Sequence, residues 1–226
     1  MRAAFVMAAA LCLPRVAPND PYGVECARTL DEITCQHAVE FCPQCPENWV
    51  NLGIIAQRAG DKALARERYI KALRIETELA QAYNNLGVLD LADRDYRLAE
   101  QRFLRALDVN PDYNEARHNL GLAHWRQGKL DEAEKDFRHM IVANSRLSEP
   151  YGSLGALALE RGRPADAAQW YQQAVLLEPS WAAAWHGLAA AQELMGLRAD
   201  AAAAYESCVD AGGDEACRRG LERLRP

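Results

Sequence analysis

Apolar residues recur at steps of three and four along most of residues 46–215, with polar residues between them. That spacing keeps the apolar side chains on one face of a helix, so it predicts a run of amphipathic helices rather than strands. The pattern also repeats as a block. WVNLG ends at Gly53, YNNLG at Gly87, RHNLG at Gly121, YGSLG at Gly155 and WHGLA at Ala189, each step being 34 residues. A fixed period of this size marks a stacked array whose units are each too small to bury their own apolar face.

Each unit can be numbered so that the recurring Gly or Ala is its eighth position. Five units then run in register as residues 46–79, 80–113, 114–147, 148–181 and 182–215. Position 7 is always Leu (Leu52, Leu86, Leu120, Leu154, Leu188) and position 20 always Ala (Ala65, Ala99, Ala133, Ala167, Ala201). Position 24 carries a ring, as Tyr69, Phe103, Phe137, Tyr171 and Tyr205. Small residues at positions 8 and 20 let two helices approach closely, and the ring fills the space beside them. Gly60, Gly128, Gly162 and Gly196 at position 15 suit a left-handed turn between the helices. Arg94 replaces that glycine in the second unit and predicts a strained turn. Pro111 and Pro179 stop second helices, and Pro164 suits the start of one. The expected fold is all-α, a solenoid of five helix-turn-helix units.

Ahead of these, Ala38 and Pro43 fall on positions 27 and 32 of an incomplete sixth unit. Prolines 14, 18 and 21 disfavour its first helix, so residues 24–41 read as a lone helix within an N-terminal cap of residues 24–45. Residues 214–226, beyond Gly212-Gly213, read as a polar C-terminal capping helix.

The W-x2-L-G…A-x3-F signature resembles the tetratricopeptide repeat (TPR) family over about three quarters of the chain. In such solenoids the first helix of each pair lines a concave face. Positions 2, 5, 9, 12 and 13 share that face here. Position 9 brings Ile54, Val88 and Leu122 to it, and position 12 brings Leu91 and Trp125. An apolar stripe not needed for packing suits a binding groove, with Trp125 as anchor; the alternative is burial by a neighbouring helix. Position 6 is Asn51, Asn85 and Asn119, then Ser153 and Gly187. This row is similar to the asparagine ladder of O-linked N-acetylglucosamine transferases, which implies a grip on peptide main chain; tying one helix to the next repeat is the competing role. Chaperone-binding TPR domains want Lys at position 5 of their first repeat, where this chain has Val50, followed by Asn84, His118, Gly152 and His186. Glu47, Glu115 and Glu149 edge one side of the face and Arg58 and Arg126 the other. The expected partner is a protein, as an extended peptide or amphipathic helix of mixed charge. The expected contact set is Asn51, Ile54, Asn85, Val88, Leu91, His118, Asn119, Leu122, Trp125 and Arg126.

Seven cysteines change the picture at both ends. Cys42 and Cys45 flank a helix end and Cys208 and Cys217 flank the Gly212-Gly213 turn, so both pairs are disulfide candidates. Cys26 and Cys35, nine apart on one helix, would stand about 13 Å apart and could not pair. Free buried thiols are a second reading. A third is a zinc set of Cys35, His37, Cys42 and Cys45, which underlies an alternative function as a metal-binding or redox-sensitive accessory module. No other cofactor is indicated.

The formal net charge of -6, with basic residues scattered, argues against nucleic acid as partner. No apolar run reaches the length of a membrane span. Arg2 followed by the apolar run Ala3–Leu13 fits a signal peptide, so residues 1–23 read as a possible signal and Pro-rich leader, and export to the cell envelope is expected; a tail or an extra helical turn is the alternative. Export makes the chain similar to the small all-TPR assembly factors of type IV pilus secretins. Those are typically lipoproteins, whereas Cys12 follows Ala9-Ala10-Leu11, which does not fit the lipid-attachment pattern. Gly-rich phosphate loops, HExxH and G-x-S-x-G are missing from the sequence, so a non-catalytic scaffold is the expected function.

Overall fold

The computed structural model describes residues 21–224. Among these it contains thirteen helices. The first two are α1 (Pro21–Thr29) and α2 (Glu32–Phe41). Five pairs follow: α3 (Pro46–Arg58) with α4 (Lys62–Ile75), α5 (Ala80–Ala92) with α6 (Tyr96–Val109), and α7 (Asn114–Arg126) with α8 (Leu130–Ala143). Next come α9 (Glu149–Glu160) with α10 (Pro164–Leu177) and α11 (Ala182–Leu194) with α12 (Arg198–Asp210). The last helix is α13 (Glu215–Leu224). Each helix packs on its neighbours in sequence, so the apolar core is a row of clusters along the stack rather than one centre.

The 34-residue signature is a packing code. The alanines at position 20 are fully buried, as are the rings of Tyr69, Phe103 and Phe137. Each position-8 glycine lies flat against the ring of its own repeat. A Cβ on Gly53 would fall 2.4 Å from Tyr69, one on Gly87 2.5 Å from Phe103, and one on Gly121 2.6 Å from Phe137. No side chain fits at such distances. The turn glycines at position 15 have positive φ, for example +76° at Gly128. Arg94 takes the same left-handed conformation, with φ 63°, as the missing glycine requires.

The N-terminal cap departs from the sequence expectation. Residues 24–41 form a hairpin, not a lone helix. Leu30 turns left-handed at φ 49°, and Asp31 then caps α2 by accepting a hydrogen bond from the Thr34 N–H. The turn brings Cys26 and Cys35 to a Cα separation of 4.7 Å, and they are disulfide-bonded. The about 13 Å expected for one continuous helix is therefore wrong, because the helix stops between them. Cys35 stands at position 24 of the incomplete repeat, where the full repeats carry a ring. Cys42 is bonded to Cys45, and Cys208 to Cys217. With Cys35 and Cys42 in different disulfides, the zinc set Cys35, His37, Cys42 and Cys45 is not assembled, and His37 is exposed. Among the described residues no helix is long and apolar enough to cross a membrane. The possible signal segment and Cys12 lie outside the described residues.

α13 closes the other end. A Cβ on its Gly220 would lie 2.5 Å from the Tyr205 ring, and Arg223 pairs with Glu193 at 2.8 Å. The Tyr205 hydroxyl donates to Glu193 as well, at 3.0 Å. The cap is thus tied to both helices of the last repeat.

Candidate functional site

The first helix of each pair supplies the expected groove. Ile54, Val88, Leu91, Leu122 and Trp125 are partly buried, each packed by one flank against a core cluster while keeping some surface. Arg126 is exposed. The Trp125 indole N–H donates to Glu160 of the next repeat, which fixes the ring's orientation. At the N-terminal end of this face a cavity of about 420 Å³ is lined by Ile54, Gln57, Arg58, Tyr69, Gln81, Asn85, Tyr113 and Glu115. Its floor is polar: the Tyr69 hydroxyl donates to Gln57 at 2.8 Å. Burial pushes the phenol of Tyr113 up to about 12, helped by the neighbouring Glu115 carboxylate. Burial raises the Tyr69 phenol as well, so both rings are neutral hydrogen-bond donors across the physiological range.

The asparagine row does two jobs. Asn119 donates to Asn84 Oδ1 at 3.0 Å, and Asn84 donates to Glu115 at 3.2 Å, stitching the second repeat to the third. Asn51 is buried. Asn85 differs, because it borders the cavity and its Nδ2 makes no well-formed hydrogen bond, lying beside the Tyr69 hydroxyl, whose pKa burial raises and the amide lowers in part. A poorly satisfied donor costs stability, so turning the Asn85 amide toward the cavity to meet an incoming carbonyl oxygen would be favoured. His118 is not presented to the groove as a free ring. Its Nε2 lies 3.1 Å from Ser153 Oγ and its ring 5.7 Å from Phe137, and burial holds its pKa below the ordinary histidine value.

Sequence reasoning missed a polar relay behind the groove. At position 11, which faces inward, Asp90 and His124 each meet two charged partners. Asp90 is 2.5 Å from Arg66 of the preceding repeat and 3.8 Å from Arg102 of its own. One repeat later the polarity inverts. His124 is 2.8 Å from Asp136 and 3.3 Å from Glu100 of the preceding repeat. The hydrogen bond to Asp136 raises the His124 pKa, against the effect of burial. Burial opposes ionisation of Glu100, but hydrogen bonds from Lys129 and Gln127 outweigh it and hold that carboxyl low. The available signal was the recurrence of a polar residue at one inward position, with opposite charges at positions 21 and 23 of adjoining repeats.

A tetratricopeptide repeat family model matches residues 84–145. No curated protein matches the chain by sequence. Solved structures share its fold. PilW, described as a widely conserved type IV pilus biogenesis factor, superposes with a TM-score of 0.78 at 19% identity, over 89% of this chain and 96% of that one. PilF of Pseudomonas aeruginosa gives 0.74 at 20% identity, over 89% and 94%. A chain of the APC/C hetero-tetramer Cut9–Hcn1 gives 0.76 at 15% identity over 90% of this chain, which spans only 41% of that larger one.

Proposed function

We propose that this tetratricopeptide repeat protein is a non-catalytic scaffold that holds a segment of another protein in its concave groove. The observation that carries this reading is the groove itself. A stripe of partly exposed apolar side chains, Val88, Leu91, Leu122 and Trp125, stands beside a polar cavity bordered by Asn85, whose amide nitrogen makes no well-formed hydrogen bond. An extended peptide or one face of a helix satisfies both halves, burying apolar side chains along the stripe and placing a carbonyl at Asn85.

The finer reading is that the chain is exported and assists assembly of a cell-envelope complex such as a type IV pilus secretin. It is supported by the fold likeness to PilW and PilF. The N-terminal apolar run after Arg2 supports it too. So do three disulfides, which persist in oxidising compartments.

One genetic experiment separates the two levels. Deleting the protein in its own host should leave secretin subunits as monomers on a semi-native gel, and restoring it should return the multimer. Trp125→Ala should fail to restore assembly while the purified variant keeps its helical circular dichroism. Normal multimers in the deletion strain would remove the pilus reading. Full rescue by Trp125→Ala would remove the groove as the working surface.

A further inference from the structure

The three disulfides differ in what surrounds them. Cys26, Cys35 and Cys208 are fully buried, and Cys217, at the wall of a pocket beside Gly213, is only 2% exposed, so these residues present little surface to an outside thiolate while the helices hold. Cys42 is partly exposed, and its partner Cys45 retains 8%. This pair lies in the joint between α2 and α3. Cys42 is the C-terminal cap of α2 and Cys45 the N-terminal cap of α3, where no side chain makes a capping hydrogen bond. The Trp49 indole N–H donates to the Pro43 carbonyl at 2.9 Å and holds the loop between them against the first repeat.

We propose that Cys42–Cys45 is a thiol–disulfide exchange site for a dithiol, whether a small molecule or a protein, while the other two disulfides are structural. The thiolate of the incoming dithiol attacks Cys42 Sγ and forms a mixed disulfide. The Cys42–Cys45 bond breaks, and Cys45 leaves as a thiolate that then takes up a proton. The second thiol of the dithiol attacks its own bonded sulfur, closes a new disulfide and releases Cys42 as a thiol. Two electrons and two protons pass to this protein, and the dithiol is oxidised.

Two features assign the direction of attack. Access favours Cys42 as the sulfur attacked. The N-terminus of α3 favours Cys45 as leaving group, because helix N-termini lower thiol pKa and a lower-pKa thiol departs faster. The cost to the fold is small, because the bond closes a loop with a sequence separation of only 3 and so removes little unfolded-chain entropy. The cap also stays attached by other means. Cys26, Cys35, Ala38 and Leu52 form one buried cluster, and Asn48 donates to the Ala38 carbonyl at 3.1 Å. The reduced protein is therefore a folded species, and the couple is reversible.

The test is a titration of the oxidised full chain with dithiothreitol in native buffer, followed by acid quench, alkylation and peptide mass mapping. Cys42 and Cys45 should be labelled at a dithiol concentration about tenfold or more below that needed for the other four cysteines, with unchanged circular dichroism. Equal labelling of all six, labelling of Cys42 and Cys45 last, or labelling only with loss of helicity would overturn the assignment. The direction of attack is tested by trapping the mixed disulfide with the monothiol glutathione, followed by acid quench and peptide mass mapping. The glutathione adduct should sit on Cys42, with Cys45 free. An adduct on Cys45 would overturn Cys42 as the attacked sulfur.

Discussion

His118 and His124 sit six residues apart on α7 and are shifted in opposite directions from the ordinary histidine pKa. His118 is packed against Phe137 and Ser153, and burial depresses its pKa. His124 lies between Asp136 and Glu100, and the hydrogen bond to Asp136 raises it. The sign for stability follows. His124 has a folded pKa above its unfolded value of about 6.5, so its stabilisation is complete below that pH and fades as pH rises through the folded value. His118 acts in reverse and opposes folding as pH falls below about 6.5. Imidazole resonances should therefore titrate above 6.5 for His124 and below it for His118. Asp136→Asn should bring the His124 midpoint down and cost about 1–3 kcal/mol at pH 6, with a smaller cost at pH 8.5. A penalty that does not change with pH would show that Asp136 acts through packing or through Arg117, 3.7 Å away, alone. The sequence showed only that a polar residue recurs at position 11, not what it meets. The partners of His124 come from two different repeats, and only the stacking of the solenoid brings them together.

At the scale of helices and turns, the code is local and mostly visible. Gly at position 8 and a ring at position 24 belong to one repeat, and the contact recurs with little change, so period and spacing were enough to find it. Gly87→Ala should cost about 1–3 kcal/mol, because Phe103 must move to admit the methyl. The inter-helix turns give the opposite test. Arg94 holds a left-handed φ that its repeat-mates reach with glycine, at a cost for a non-glycine residue of about 1–2 kcal/mol. Glycine loses more chain entropy on folding, which offsets part of the gain. Arg94→Gly should therefore raise the urea midpoint by the equivalent of about 0.5–1 kcal/mol, whereas Gly128→Ala should lower it. A destabilised Arg94→Gly would mean that the arginine side chain contributes more than its backbone costs. The cap hairpin was missed for a matching reason. Helical periodicity runs on through Leu30, while the stop is written in one residue, the capping Asp31.

Over the whole molecule, each repeat touches little beyond its neighbours, so stability is a sum of repeat and interface terms and the ends are its weak points. Both ends carry disulfides. At the C-terminus, Cys208 occupies position 27, where four other repeats place Ala or Met, and its bond to Cys217 pins α13 over Gly213. A Cβ on that glycine would fall 2.5 Å from the Cys208 carbonyl oxygen and 2.6 Å from the Cys217 sulfur, so the bonded turn leaves room only for glycine. Closing a loop with a sequence separation of 9 restricts the unfolded chain enough to contribute about 2–3 kcal/mol. In a solenoid that loss should stay local. In Cys208→Ser/Cys217→Ser, amide hydrogen exchange should rise in α13 and the end of α12. The groove helices α5 and α7 should keep their protection, held by the Asn119–Asn84 bridge and the Arg66–Asp90 pair. Partner binding should then survive loss of the C-terminal bond. If exchange instead rises evenly along the stack, the repeats unfold as one cooperative unit, and the end disulfides stabilise the groove directly.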